Sequence, residues 1–208
     1  GISITNAGLA ASTVYYAYLY GTTGALQLEL STTGHSTHTN GVEIKTGDLS
    51  RTLVGMVATN GSNQFADSAL TRLCINWFNR RSLSCATTGT GYTITTGAEI
   101  STTIRNQFLS WADESVDSVI NLQAVPSTSA QRLDLVILAN NTTNAIGQPA
   151  GFGGTTGMTT ASAAYALSMS KAGRGLLPEG FNYVTAYSYV TSGNASVSSA
   201  EIQTIIRG

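Results

Sequence analysis

Charge is what this sequence has least of. Lysine, arginine, aspartate and glutamate make up 10% of its 208 residues and leave a formal net charge of −1, where an average soluble protein carries about 25%. The ten basic residues are scattered and form no stripe, so no surface is expected to neutralise a run of phosphates and no nucleic-acid binding is predicted. No apolar run approaches the ~20 residues that span a bilayer; the longest, Leu135–Ala139, reads as a buried strand, and no membrane insertion is expected. The first residues lack a charged segment followed by an apolar one, so no signal peptide is predicted. A chain beginning at Gly1 fits a lost initiator methionine or a place within a longer polypeptide. There are two cysteines, Cys74 and Cys85. Alone they are too few for a structural zinc site; they read as buried free thiols, with pairing left open if 77–82 forms a return between strands.

What fills the gap is threonine, serine, glycine and asparagine, together with enough aromatic and β-branched residues to exclude a disordered chain. The pattern is organised around 48–82. Arg51–Ala58 (RTLVGMVA) reads as a strand buried on both faces, Asn60-Gly61 as a turn, and Leu70–Asn79 as one long second strand with Leu73, Ile75 and Trp77 on its core face. Further strands are predicted at Ile2–Thr5, Thr13–Tyr20, Ala25–Leu30, Gly41–Lys45, Leu83–Thr87, Tyr92–Thr95, Glu99–Ser110, Val116–Val125, Arg132–Ala139, Ala164–Ser170, Phe181–Val190 and Ile202–Arg207. Ser31–Asn40 reads as an exposed polar loop, and Asn140–Thr160 as a 21-residue loop of the kind that often carries function. About a dozen short strands, no helix and no fixed repeat predict an all-β fold: one antiparallel, jelly-roll-like β-sandwich domain over 1–208.

The chemistry-bearing residues are few. His35 and His38 form H-x-x-H in the polar loop, but no third ligand is near in sequence; they read as solvated histidines, and neither a metal nor another cofactor is predicted. Asp113, Glu114 and Asp117 cluster, while Asp48, Asp67, Asp134 and Glu179 stand alone. A glycosidase needs two carboxyls about 5–9 Å apart across a cleft, and neighbours such as Asp113 and Glu114 point to opposite faces of a strand. No G-x-S-x-G elbow is present, and Gly151–Gly154 (GFGG) lacks the lysine of a phosphate loop. The chain reads as a non-enzyme. Aromatic rings that stack on sugar C–H faces are the better binding candidates: Tyr183, Tyr187 and Tyr189, with Trp111 and with Phe152 among the loop glycines.

Leu9–Tyr20 (LAASTVYYAYLY), Leu53–Val57 (LVGMV), Asn76–Arg80 (NWFNR) and Glu179–Asn182 (EGFN) running into a long strand occur in that order. Together they resemble a β-rich domain of tail-fibre, head-fibre and related virion proteins of tailed bacteriophages. One departure is that no coiled-coil or β-helical shaft precedes the domain. The resemblance implies a virion structural protein on the particle surface, made in the host cytoplasm, homotrimeric, in contact with other virion proteins and engaged with a host-surface glycan. The alternatives are a capsid decoration or neck protein without a receptor role, and a polysaccharide-degrading spike.

Overall fold

The computed structural model describes residues 1–94, 98–99, 104–127, 133–140, 155–158, 165–174, 177–190 and 193–207. No helix occurs among them; the chain is all-β. The strands in order are β1 (Val14–Thr22), β2 (Ala25–Ser31), β3 (His35–Thr37), β4 (Glu43–Lys45), β5 (Asp48–Ala58), β6 (Thr71–Arg72), β7 (Cys74–Asn76), β8 (Leu83–Gly89) and β9 (Tyr92–Ile94). They continue with β10 (Ala98–Glu99), β11 (Arg105–Ser110), β12 (Ser115–Pro126), β13 (Leu133–Ala139), β14 (Thr155–Met158), β15 (Tyr165–Arg174), β16 (Gly180–Val190) and β17 (Ala195–Arg207).

These form three sheets. The first has the order β2-β1-β5-β4-β3, with β7 also on β5. The second runs β14-β13-β16-β11-β6, with β10 on β16, and the third β15-β12-β17-β8, with β9 on β17. Pairings are antiparallel except β6 on β11. The second and third sheets face each other as a β-sandwich around Phe108, Ile120, Leu122, Ile137, Val184 and Ile202. A separate core lies under the first sheet: Tyr18, Leu53, Met56 and Ile75 pack on Leu109 and Trp111. Strand β11 therefore serves two cores, Phe108 facing one and Leu109 the other, which is why its apolar residues run consecutively instead of alternating.

The sandwich interior is not purely apolar. Buried Asn106 donates through Nδ2 to Thr204 Oγ1 at 2.9 Å and to the carbonyl of Ile202 at 3.0 Å, and Ser118 Oγ meets the same Thr204 hydroxyl at 3.0 Å. Buried amides and hydroxyls need such partners, and their directionality fixes how the two sheets register.

Several expectations are corrected. Ile2–Thr5 forms no strand. The single strand expected over Leu70–Asn79 is broken at Leu73: β6 joins the second sheet and β7 the first. Asp67 Oδ1 accepts the amides of Leu73 (2.8 Å) and Cys74 (3.2 Å), drawing the chain out of one ladder at the crossing. Ser31–Asn40 contains β3, which pairs with β4, so it is not simply a polar loop. Of the long loop at 140–160, residues Thr155–Met158 are β14 against β13, while 141–154 and 159–160 lie outside the described residues. Cys74 and Cys85 are unpaired, and Cys74 is exposed.

Gly55, the centre of the LVGMV segment, shows why that position is glycine. A Cβ there would sit 2.5 Å from the backbone oxygen of Ile75, where β5 pairs with β7. Gly55→Ala is therefore expected to push β7 off β5 and to lower stability by about 1–3 kcal/mol, the usual penalty for overpacking. Urea denaturation checks this; an unchanged midpoint would show that β7 is free to shift.

Candidate functional site

The site grows from the β3–β4 hairpin. Thr37 lies directly opposite Glu43, and His35 stands diagonally on the same face. Thr37 Oγ1 donates to Glu43 Oε1, and His35 Nδ1 lies 2.5 Å from Glu43 Oε2. A third group arrives from the second sheet. Gly180, held at φ +111°, turns the chain into β16, a conformation that side chains beyond glycine rarely adopt. The turn places Glu179 so that its Oε1 and Oε2 lie 3.1 and 3.2 Å from His35 Nε2. Tyr16 from β1 donates its hydroxyl to Glu179 Oε1 at 2.8 Å.

An aromatic box closes around this charge. The His35 ring lies 5.4 Å from Trp77, 5.7 Å from Tyr16 and 6.0 Å from Trp111. Trp77 and Trp111 meet edge to face at 4.8 Å, and the Arg80 guanidinium lies 4.1 Å above the Trp77 ring while pairing with both Asp113 oxygens at 2.6 and 2.7 Å. The segment Asn76–Arg80 thus supplies one wall of the box.

A carboxylate can only accept hydrogen bonds. With a carboxylate against each ring nitrogen, His35 satisfies both only as the doubly protonated imidazolium. Burial by itself lowers its pKa, but the bonds to Glu43 and Glu179 outweigh that and hold it above the ordinary 6.5. Burial works to raise Glu43, yet the bonds from Thr37 and His35 prevail and hold it below 4.5. Tyr16 is pushed up to about 12 by burial and by the Glu179 hydrogen bond. In this arrangement the ring nitrogens of His35 and the hydroxyl of Tyr16 are all directed at carboxylates. What the cluster does is join the first sheet to the second.

The linkage gives a testable pH profile. A raised histidine contributes stability fully below its unfolded value of 6.5 and loses it as pH rises through the folded value. A depressed glutamate contributes above 4.5 and loses it as pH falls through its lowered folded value. The cluster's contribution is therefore expected to be greatest between about pH 4.5 and 6.5, declining as pH rises through the folded value of His35 and as it falls through that of Glu43. Melting temperatures against pH, compared with those of His35→Gln, check this; parallel curves above pH 6.5 would contradict it.

Other charges are also used up in pairs. Glu29 accepts from Lys45 and from Arg51 Nε at 2.6 Å, Arg51 lies 3.8 Å over Tyr20, and Arg207 pairs with Asp117 at 2.7 Å. His38 meets Asn40 Oδ1 at 2.9 Å, so the H-x-x-H residues do not converge. Among the described residues no three His, Cys, Asp or Glu are grouped to hold a metal ion.

The predicted sugar-binding residues are dispersed. Trp111 is 1% exposed and forms the floor of the box, and Tyr187 is 7% exposed against Leu138; neither offers a ring face to a ligand. Tyr189 lies in β16 opposite Asp134, and Phe152 falls outside the described residues. Tyr183 is half-buried on the outer face of the second sheet, with the Arg105 guanidinium 4.8 Å over its ring. Sequence reasoning missed the junction itself. His35 read as solvated and Glu179 as isolated because residues 144 positions apart meet only through the sheet order.

No protein-family model matches the chain, and no curated protein matches it in sequence. A solved structure, "Structure of infectious bursal disease virus Gx strain", superposes with a TM-score of 0.42 and 10% identity, over 97% of this chain and 54% of that one. The chain thus spans about half the length of that protein.

Proposed function

We propose that this chain is a non-enzymatic structural protein of a bacteriophage particle, a fibre or spike component that helps the particle attach to a host-surface glycan. The observation that carries the non-enzymatic reading is the saturation of His35. The cluster in which titratable side chains from two sheets converge ties those sheets together, and both ring nitrogens are taken by carboxylates. The virion reading is supported by the ordered resemblance of the four segments from Leu9 to Asn182, and by a low-charge surface suited to packing against copies of itself and other virion proteins. A homotrimer would present three weak glycan sites together, and their effective concentration would supply the avidity.

The test is the molar mass of the purified chain by light scattering, together with its binding to host cells. A mass of three times 21.6 kDa and saturable binding support the reading. A species that binds no cells would instead favour a capsid decoration or neck protein, and release of reducing ends from host polysaccharide would favour a degrading spike.

A further inference from the structure

A cavity of about 430 Å³ opens where the 58–61 turn of the first sheet meets the outer face of the second, within the usual size range of small-ligand sites. Its floor is apolar, formed by Val14, Ala58 and Leu73, and its rim carries Phe181, a residue 41% exposed. No lining residue is charged.

The polar groups fall into two kinds. The Thr59 hydroxyl donates to the Ala10 carbonyl at 2.7 Å and accepts the Thr13 amide at 3.0 Å, and Asn60 Oδ1 accepts the amides of Ser62 and Gln64 at 2.8 and 3.0 Å. Those groups hold the turn together. Gln107 and Thr71 also line the cavity, and neither side chain has a hydrogen bond among the described residues. Register explains their placement: Thr71, Gln107 and Tyr183 are successive partners across β6, β11 and β16, and Phe181 lies two residues from Tyr183 on the same face.

We infer that this cavity is a binding subsite for one uncharged pyranose ring, with Phe181 stacking on its C–H face and Gln107 and Thr71 holding its hydroxyls. This deepens the attachment reading above and rests on it for its biological setting. A carboxamide presents a donor and an acceptor side by side and so bridges two neighbouring hydroxyls. An exposed ring beside an apolar floor matches the amphipathic faces of a pyranose. An anionic sugar would lose water in a lining that offers it no cation, which favours neutral sugars over sialic or uronic acids at this position.

The experiment uses the full chain and a panel of methyl pyranosides of glucose, galactose, mannose and N-acetylglucosamine, with glucuronate as the charged control, followed by amide chemical shifts. The expected result is a dissociation constant on the order of 1 mM for at least one neutral sugar, with shifts at Thr71, Gln107, Phe181 and Tyr183 and none from glucuronate. Phe181→Ala should weaken binding about tenfold or more, as loss of an aromatic anchor does. Thr71→Val, which keeps the shape, guards against misfolding and should weaken it less, with an unchanged melting temperature. No neutral sugar bound at about ten times that concentration, binding that survives both substitutions, or shifts that follow protein concentration instead of sugar would each overturn the inference. Host-cell binding measured on the same variants separates the two levels. Cells bound normally by Phe181→Ala would leave attachment standing and remove this subsite, whereas no binding by the native chain would remove the attachment reading itself.

Discussion

Replacing Trp111 by alanine is expected to destabilise the protein by about 3–5 kcal/mol, the cost of truncating a fully buried aromatic side chain. Trp111 follows β11 directly, and a tight turn holds it there: its amide donates to Glu114 Oε2 at 2.9 Å, and its carbonyl accepts the Glu114 amide at 3.1 Å. The indole fills the space between the first sheet and β11 and supports Trp77 edge to face. Because the surrounding walls are strands already fixed in their ladders, the gap would not collapse, which places the loss toward the upper end of the range. Urea denaturation at constant m checks this. A loss under about 1 kcal/mol would mean that the second core contributes little to the folded state.

The second large effect is expected for His35→Leu. The leucine keeps bulk inside the aromatic box but removes the cation, leaving Glu43 and Glu179 desolvated and facing each other. Removing one partner of a fully buried pair costs about 3–5 kcal/mol; with these side chains 10–21% exposed, a loss of about 1–3 kcal/mol is expected. The partner variant Glu179→Gln should also destabilise. Combined with His35→Leu it should add less than the sum, because the two groups share one interaction. Additive losses in that double-mutant cycle would show that His35 and Glu179 do not interact in solution.

Much of the strand content was legible in the sequence, and particular strands show where reading stops. The segment Arg51–Ala58 falls inside β5, and Val116–Val125 inside β12, because β-branched residues there leave no competing pattern. Strand β17 was legible only from Ile202 onward, although it begins at Ala195. Its first half is serine-rich, and a register shift opposite Gln123/Ala124 slips the alternation, so Val197 and Ala200 are both buried despite odd spacing. The break at Leu73 was hidden for a different reason: period-2 alternation continues through Leu73, Ile75 and Trp77 while the chain changes sheets.

The candidate sites were less legible still. Tyr183 could be picked out as an aromatic near the chain's end, but Phe181 and Gln107 join it only through the β11–β16 register. Composition likewise suggested that tryptophan and tyrosine would be available to a ligand, whereas Trp111 and Tyr187 are buried. Burial of an aromatic depends on which sheet covers it, and sheet order is not written in local periodicity.

His35, held between Glu43 and Glu179, is a charge interlock that joins two sheets. Nitrogen-15 chemical shifts of the imidazole, followed from pH 5 to 9, test it most directly. The account predicts two protonated ring nitrogens at pH 7 and a folded-state midpoint above 6.5, with the stability lost over the same pH interval. A neutral ring at pH 7, with one nitrogen unprotonated and free to accept a proton, would contradict it and reopen the case for chemistry at this site.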